Sequence, residues 1–355
     1  MKNGQHQALA NARRIRAVVA TTALALGSIS TTAFAQERGA PVDRFVFGPY
    51  KDLAQSLEPA DPRMATAVSG KRTLLPAAEV LPAGSTLSWA FAVGECGAER
   101  WIGLDADLVA RANVAAFEKA GMPYIVSTGG EGGVFTCASD EGMARFMARY
   151  ASKMLRGFDF DIEGKQTPAE VDSLVQRVKT AQRRHPKLRF SFTVATFAAS
   201  DGGGASLNAL GDTLMAAIKR HQLGGAVINL MVMNYGPASA AHCVVGKDGR
   251  CDMHASALQA AHNLHRKHGV PYNRIALTAM LGRNDVAENV FTLADAQALA
   301  RDARALGLAG LHHWSLDRDR ACPPDKDALS PTCHSLPGLE PLAFTRALAA
   351  GDQAR

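Results

Sequence analysis

The sequence predicts an α/β protein, a closed (β/α)8 TIM barrel in a single domain, and three observations predict it. Eight short apolar runs rich in β-branched and aromatic residues occur at 45–50, 87–93, 124–128, 158–163, 190–196, 226–235, 275–281 and 310–316. Their starts lie 32 to 49 residues apart, and a barrel of roughly 250 residues needs about 30 per unit. Helix signals, not hairpin turns, separate the runs, so consecutive strands should be parallel and joined by crossovers. Eight such units favour closure over a doubly wound open sheet, the structural alternative.

The connecting segments justify this order. After the first run, residues 58–84 are proline-rich and irregular, and no helix is expected there. Asp105 or Asp107 can open a helix that Gly121 closes. Thr167-Pro168-Ala169-Glu170 sets a capping threonine, a first-turn proline and a glutamate that reaches back to the cap. Thr292 opens another helix, with Asp295 in its first turn and Gly307 after its end. Between Leu281 and Gly310 there is room for one loop and one helix, so the groove above the barrel should be shallow.

Composition narrows the class. With 47% hydrophobic residues the 355-residue chain can bury a full core, which excludes a disordered or low-complexity protein. The formal charge of +6 suggests nucleic acid only until its source is located. Lys2, Arg13, Arg14 and Arg16 lie in residues 1–35, which hold no acid; the remainder carries +2. That balance steers nothing towards nucleic acid or an acidic membrane. Residues 1–35 read as a secretory signal: a basic stretch, an apolar run too short to span a bilayer, then Ala33-Phe34-Ala35 as a small-x-small cleavage site. The expected organisation is this signal followed by one barrel over 36–355, secreted or periplasmic. Six cysteines fit an oxidising compartment, no CxxC occurs, and Cys333-His334 is not a metal spacing, so disulfides are expected and a metal is not. Six cysteines allow 15 pairings.

The chemistry concentrates in Gly157-Phe158-Asp159-Phe160-Asp161-Ile162-Glu163-Gly164. Alternate residues of a strand share a face. Asp159, Asp161 and Glu163 therefore point into the barrel, while Phe158, Phe160 and Ile162 pack against the helices. The acids step about 6.6–7 Å per pair towards the C-terminal mouth. Repulsion and desolvation should hold at least one proton among them near neutral pH. Glu163, last in the row, is the natural general acid. A solvated edge strand fits poorly, because the opposite face is wholly apolar. A metal-binding DxD lacks nearby histidines on the same strand.

This segment resembles the DxxDxDxE motif of glycoside hydrolase family 18, the chitinases and related endo-β-N-acetylglucosaminidases. Ser127-Thr128-Gly129-Gly130 is similar to that family's SxGG on the third strand. Met231-Val232-Met233-Asn234-Tyr235 is similar to its sixth-strand run, and Trp314 stands where it keeps an eighth-strand tryptophan. The first aspartate of the motif is replaced by Arg156, a change expected to touch support and proton sharing more than the acid. The resemblance implies a retaining, substrate-assisted hydrolase. Glu163 would protonate the glycosidic oxygen, Asp161 would orient the substrate's acetamide, Asp159 would share a proton behind it, and Tyr235 would hydrogen-bond the acetamide carbonyl. Met233, Asn234, Trp314, Ser127, Gly129 and Gly130 would bind substrate. No cofactor is implied.

Bland readings stand beside these. A tyrosine or methionine in a barrel strand is most often core, and Ser127 with its glycines can be only a tight turn. Trp89 reads as packing and Trp101 as a candidate outer sugar platform. His312 and His313 alternate faces, a poor metal pair. The leading function is a secreted glycosidase, acting as a monomer, that cuts beside N-acetylglucosamine in chitin or its oligomers. The alternatives are an endo-β-N-acetylglucosaminidase on N-glycans and a non-catalytic lectin. Loop placement at the mouth predicts the bridges Cys96–Cys137, Cys243–Cys251 and Cys322–Cys333.

Overall fold

Eight parallel strands close into a barrel: β1 Val46–Asp52, β2 Leu87–Glu95, β3 Tyr124–Gly129, β4 Leu155–Ile162, β5 Arg189–Ala195, β6 Val227–Met231, β7 Ile275–Met280 and β8 Gly310–Trp314. Each pairs with its sequence neighbours, and β1 completes the ring by pairing with both β8 and β2. This computed structural model describes residues 45–324 and 329–350, all within the compact unit Gly39–Arg355. The expected export segment, residues 1–35, lies outside the described residues.

Alternation on β4 decides what faces what. Phe158 and Phe160 point outwards, where Phe146 of α2 (Asp140–Arg149) lies 5.0 Å from the Phe158 ring and Phe192 of β5 lies 5.5 Å from the Phe160 ring. Burying rings of this size supplies about 1.5–3 kcal/mol each. The polar residues of the same strands are thereby committed to the interior.

The remaining helices are α1 Ala106–Ala120, α3 Pro168–Arg184, α4 Ala209–His221, α5 Met253–His268, α6 Leu293–Ala305 and α7 Ala343–Ala350. Asp105 caps α1 and Gly121 closes it, while Thr167 with Glu170 and Thr292 with Asp295 form capping boxes. Between β1 and β2 the chain builds only a 3-10 turn, Leu53–Gln55, and the ribbon Ala65–Thr66 with Thr73–Leu74. That segment is fastened by Lys51, fully buried, which pairs with Asp317 at 2.8 Å while Thr66 donates to the same carboxylate.

Two strand ends differ from expectation. β4 stops at Ile162, leaving Glu163 just above the sheet. β6 stops at Met231, where its pairing with Thr278 of β7 ends. Asn234 then enters the left-handed region at φ 52°, a conformation asparagine tolerates. The three disulfides join Cys96 to Cys137, Cys243 to Cys251 and Cys322 to Cys333, as expected, on segments following strands. Among the described residues no helix is long and apolar enough to cross a membrane.

Candidate active site

Register places the acids before any side chain is considered. Ser127 of β3 and Ser191 of β5 both lie beside Asp159, and one layer higher Gly129 and Thr193 lie beside Asp161. Residues in register on parallel strands share a level and a face, so Asp159 is flanked by hydroxyls. Ser127 donates to it at 2.7 Å, Ser191 at 2.6 Å, Tyr50 at 3.0 Å and Thr193 at 2.9 Å. Asn229 of β6 donates in turn to the Tyr50 hydroxyl. Burial pushes the Asp159 carboxyl up, and these four donors pull against that push.

Asp161 has no such company. It is buried, its Oδ1 has no hydrogen-bond partner, and its other link is to Glu163. Burial, followed by the charges of Glu163 and Asp159, holds its carboxyl well above the usual carboxylate range. Glu163 is half-buried at the mouth, accepts from the backbone N–H of Glu131, and is likewise raised by burial. Burial thus raises all three carboxyls, Asp161 well above the usual range, and Asp161 interacts with Glu163 above it while the hydroxyl shell serves Asp159 below.

A cleft of about 920 Å³ opens over this pair. Asp161, Glu163, Gly129, Met233, Asn234, Tyr235 and Trp314 all line it. Tyr235 is buried and its hydroxyl is unpartnered, with the phenol held in its neutral form by burial. A buried polar atom without a partner costs about 1–3 kcal/mol. Two of them, one acceptor and one donor, face one cleft. Trp314 stacks on Phe91 with ring centres 5.5 Å apart, which fixes a flat apolar floor.

The turn carrying Asn234 and Tyr235 is set from the hairpin Gly282–Arg283 with Val290–Phe291, after β7. Buried Asn284 accepts from the Asn234 backbone N–H and buried Asn289 from that of Tyr235. Asn234 itself lies on the rim, bonded to Asp285.

Several sequence assignments move. Ser127 is fully buried beneath the cleft, so it supports Asp159 and does not contact a sugar. Gly130 does not line the cleft either. With φ of 77° and a Cβ that would fall 2.7 Å from the Phe91 ring, it lets that loop lie flat on Phe91. Gly129 is required for the same kind of reason, since a Cβ there would meet the Asp161 carbonyl at 2.1 Å. Trp101 is no platform: it is fully buried, and its indole N–H donates to Tyr150. Trp89 is packing, stacked on Tyr124. Arg156 is exposed, at an irregularity in the β3–β4 pairing that turns it out of the acidic row. His312 and His313 do face different ways, towards the Gly48 carbonyl and Thr345, each held neutral by burial. Sequence reasoning missed Tyr50, Ser191, Thr193 and Asn229, whose only signal was a polar residue at an inward position of an otherwise apolar strand.

No protein-family model matches the chain. It is 30% identical over 247 residues to a probable bifunctional chitinase/lysozyme of Escherichia coli K12, covering 63% of this chain and 26% of that protein. It is 29% identical over 231 residues to endochitinase 11 of Metarhizium anisopliae, covering 58% and 42%. The chain thus spans less than half the length of either relative. Among solved structures, the catalytic domain of a hyperthermophilic chitinase from Pyrococcus furiosus superposes with a TM-score of 0.65 at 23% identity, over 89% of this chain and 97% of that one. A catalytic-site mutant of that enzyme, complexed with chito-oligosaccharides, matches equally well in fold.

Proposed function

We propose that the chain is a member of glycoside hydrolase family 18 and that it hydrolyses β-1,4 linkages beside N-acetylglucosamine in chitin or chitooligosaccharides, retaining anomeric configuration by substrate assistance. The observation that carries this reading is the pair of unpartnered polar atoms, Asp161 Oδ1 and Tyr235 Oη, on one cleft beside Glu163. An acetamide satisfies both, because its N–H donates to the carboxylate and its carbonyl accepts from the phenol. The names of the two curated relatives and the chito-oligosaccharides held by the Pyrococcus furiosus enzyme support the same substrate class.

Glu163 gives its proton to the glycosidic oxygen as the C1–O bond breaks. The substrate's own carbonyl oxygen bonds to C1 from the face opposite the departing oxygen, forming an oxazolinium ion whose N–H charge faces Asp161. Water later adds on the face that the leaving group vacated. Glu163, now a carboxylate, takes a proton from the water that reopens the ring, which restores the acid. Trp314 lies under the sugar and excludes water from one side. Asp159, with both oxygens occupied by hydroxyls, fixes the charge beneath and takes no part in bond making. Acid, nucleophile and charge support all come from this chain and the substrate. The three disulfides and the signal-like residues 1–35 support export to an oxidising compartment. Parallel digestion of chitin oligomers and of a high-mannose glycoprotein tests the reading. Oligomer cleavage is expected, and release of the N-glycan with intact oligomers would transfer the same chemistry to another substrate.

A further inference from the structure

Four large apolar side chains are exposed among the described residues, Leu74, Ile102, Val245 and Leu329, and of these Ile102 lines the cleft. It sits at the tip of a small hairpin, Arg100–Trp101 with Leu104–Asp105, that pairs with Ala92 and Val93 at the upper end of β2. The base of this hairpin is held rigidly. Trp101 is buried on Tyr150, Glu99 accepts from Tyr150 and Arg149, and Cys96–Cys137 ties the neighbouring segments together.

The tip is unusual in two ways at once. Its two central residues, Ile102 and Gly103, have φ of 44° and 85°, the mirror-image turn that suits a tight hairpin and favours asparagine and glycine. A β-branched residue at positive φ is a backbone outlier. The side chain held there at that expense is 47% exposed, so burial within the protein does not compensate it. Its position does have a use. Phe91 stacks on Trp314, Val93 follows two residues later on the same strand face, and Ile102 continues the line, so an apolar wall runs from the tryptophan floor to the rim. Beside this wall the loop after β3 packs closely through glycines: a Cβ on Gly133 would fall 2.5 Å from Val93. A pyranose ring offers a flat face of C–H groups that covers such a wall.

We propose that Ile102 is a sugar-contacting residue of an outer subsite, so that it sets how strongly cleavage depends on oligosaccharide length. This rests on the reading of the cleft as a chitooligosaccharide site. The test uses Ile102→Gly and Ile102→Asn, both of which suit the backbone, on the full chain. kcat/KM is measured on a short chromogenic chitobioside and on the hexamer, and melting temperature is measured alongside. In both variants the hexamer should lose roughly threefold or more in kcat/KM, through KM. The chitobioside value should stay level and the melting temperature should hold or rise. An unchanged hexamer-to-chitobioside ratio with an active wild type would overturn the role of Ile102 alone, as would a parallel loss on both substrates with a lowered melting temperature. A wild-type protein inert on every oligomer would overturn the functional reading and this inference with it.

Discussion

Asp159 and Asp161 are two residues apart on one strand and point the same way, yet the structure treats them oppositely. The lower aspartate is enclosed by Tyr50, Ser127, Ser191 and Thr193, four hydroxyls from the two flanking strands and from β1 across the barrel. The upper one is equally buried and has an oxygen that nothing in the protein serves. A protein closes its buried polar groups almost everywhere, so the difference is informative. The lower layer is finished structure, and in the proposed function the upper layer is completed by a ligand that brings an N–H and a carbonyl.

The sharpest way to break that division is to remove the acid above it. Glu163→Gln keeps size and hydrogen bonding but has no transferable proton, so turnover should fall about 10²–10⁴-fold while oligosaccharide binding persists. Calorimetric binding of a chitin oligomer beside a progress curve reads both, and near-wild-type hydrolysis would remove Glu163 from its role.

Asp161→Asn should come next in activity and should act on stability in the opposite sense. Its carboxyl is raised in the folded state by burial and by the charges of Glu163 and Asp159. The folded protein therefore binds that proton more tightly than the unfolded chain, and stability falls as pH rises through the raised value. The variant should melt higher than wild type at pH 8, and that advantage should vanish below pH 4, where both states are protonated. Thermal melts at the two pH values decide it. An advantage of the same size at both would mean that the carboxyl is not held up by burial.

Ser127→Ala probes the lower layer and should have the smallest kinetic effect. It removes one of four donors to a buried carboxylate, a loss of about 1.5–3 kcal/mol in stability, with kcat reduced far less than by either change above. Urea unfolding and steady-state rates measured on one preparation test this. Loss of turnover as deep as that of Asp161→Asn would merge the two layers into one catalytic unit.

Legibility in the sequence followed the same division. The strands and the acidic face of β4 were plain, because alternation of aromatic and acidic residues over 158–163 admits one orientation. The capping signals at Thr167 and Thr292 marked their helices, since a cap is a local interaction. The shell around Asp159 was hidden. Tyr50, Ser191, Thr193 and Asn229 come from three other strands, and their meeting depends on register, which no single strand encodes. Trp101 misled because a tryptophan on a loop suggests a sugar platform, whereas Glu99 and Tyr150 supply a buried partner that only the folded chain assembles. The turn at Asn234 and Tyr235 escaped strand alternation because Asn284 and Asn289 reach over from the β7–β8 hairpin and take its backbone N–H groups.

The central claim is that the vacant oxygen of Asp161 is reserved for a substrate acetamide that itself attacks the anomeric carbon. Proton NMR during the first turnovers of a chitooligosaccharide digest tests it directly, because the new reducing end reports its configuration before mutarotation. The account predicts that this end is born as the β-anomer. First appearance of the α-anomer would require direct attack by a water that a carboxylate activates, and would contradict the assignment of Asp161.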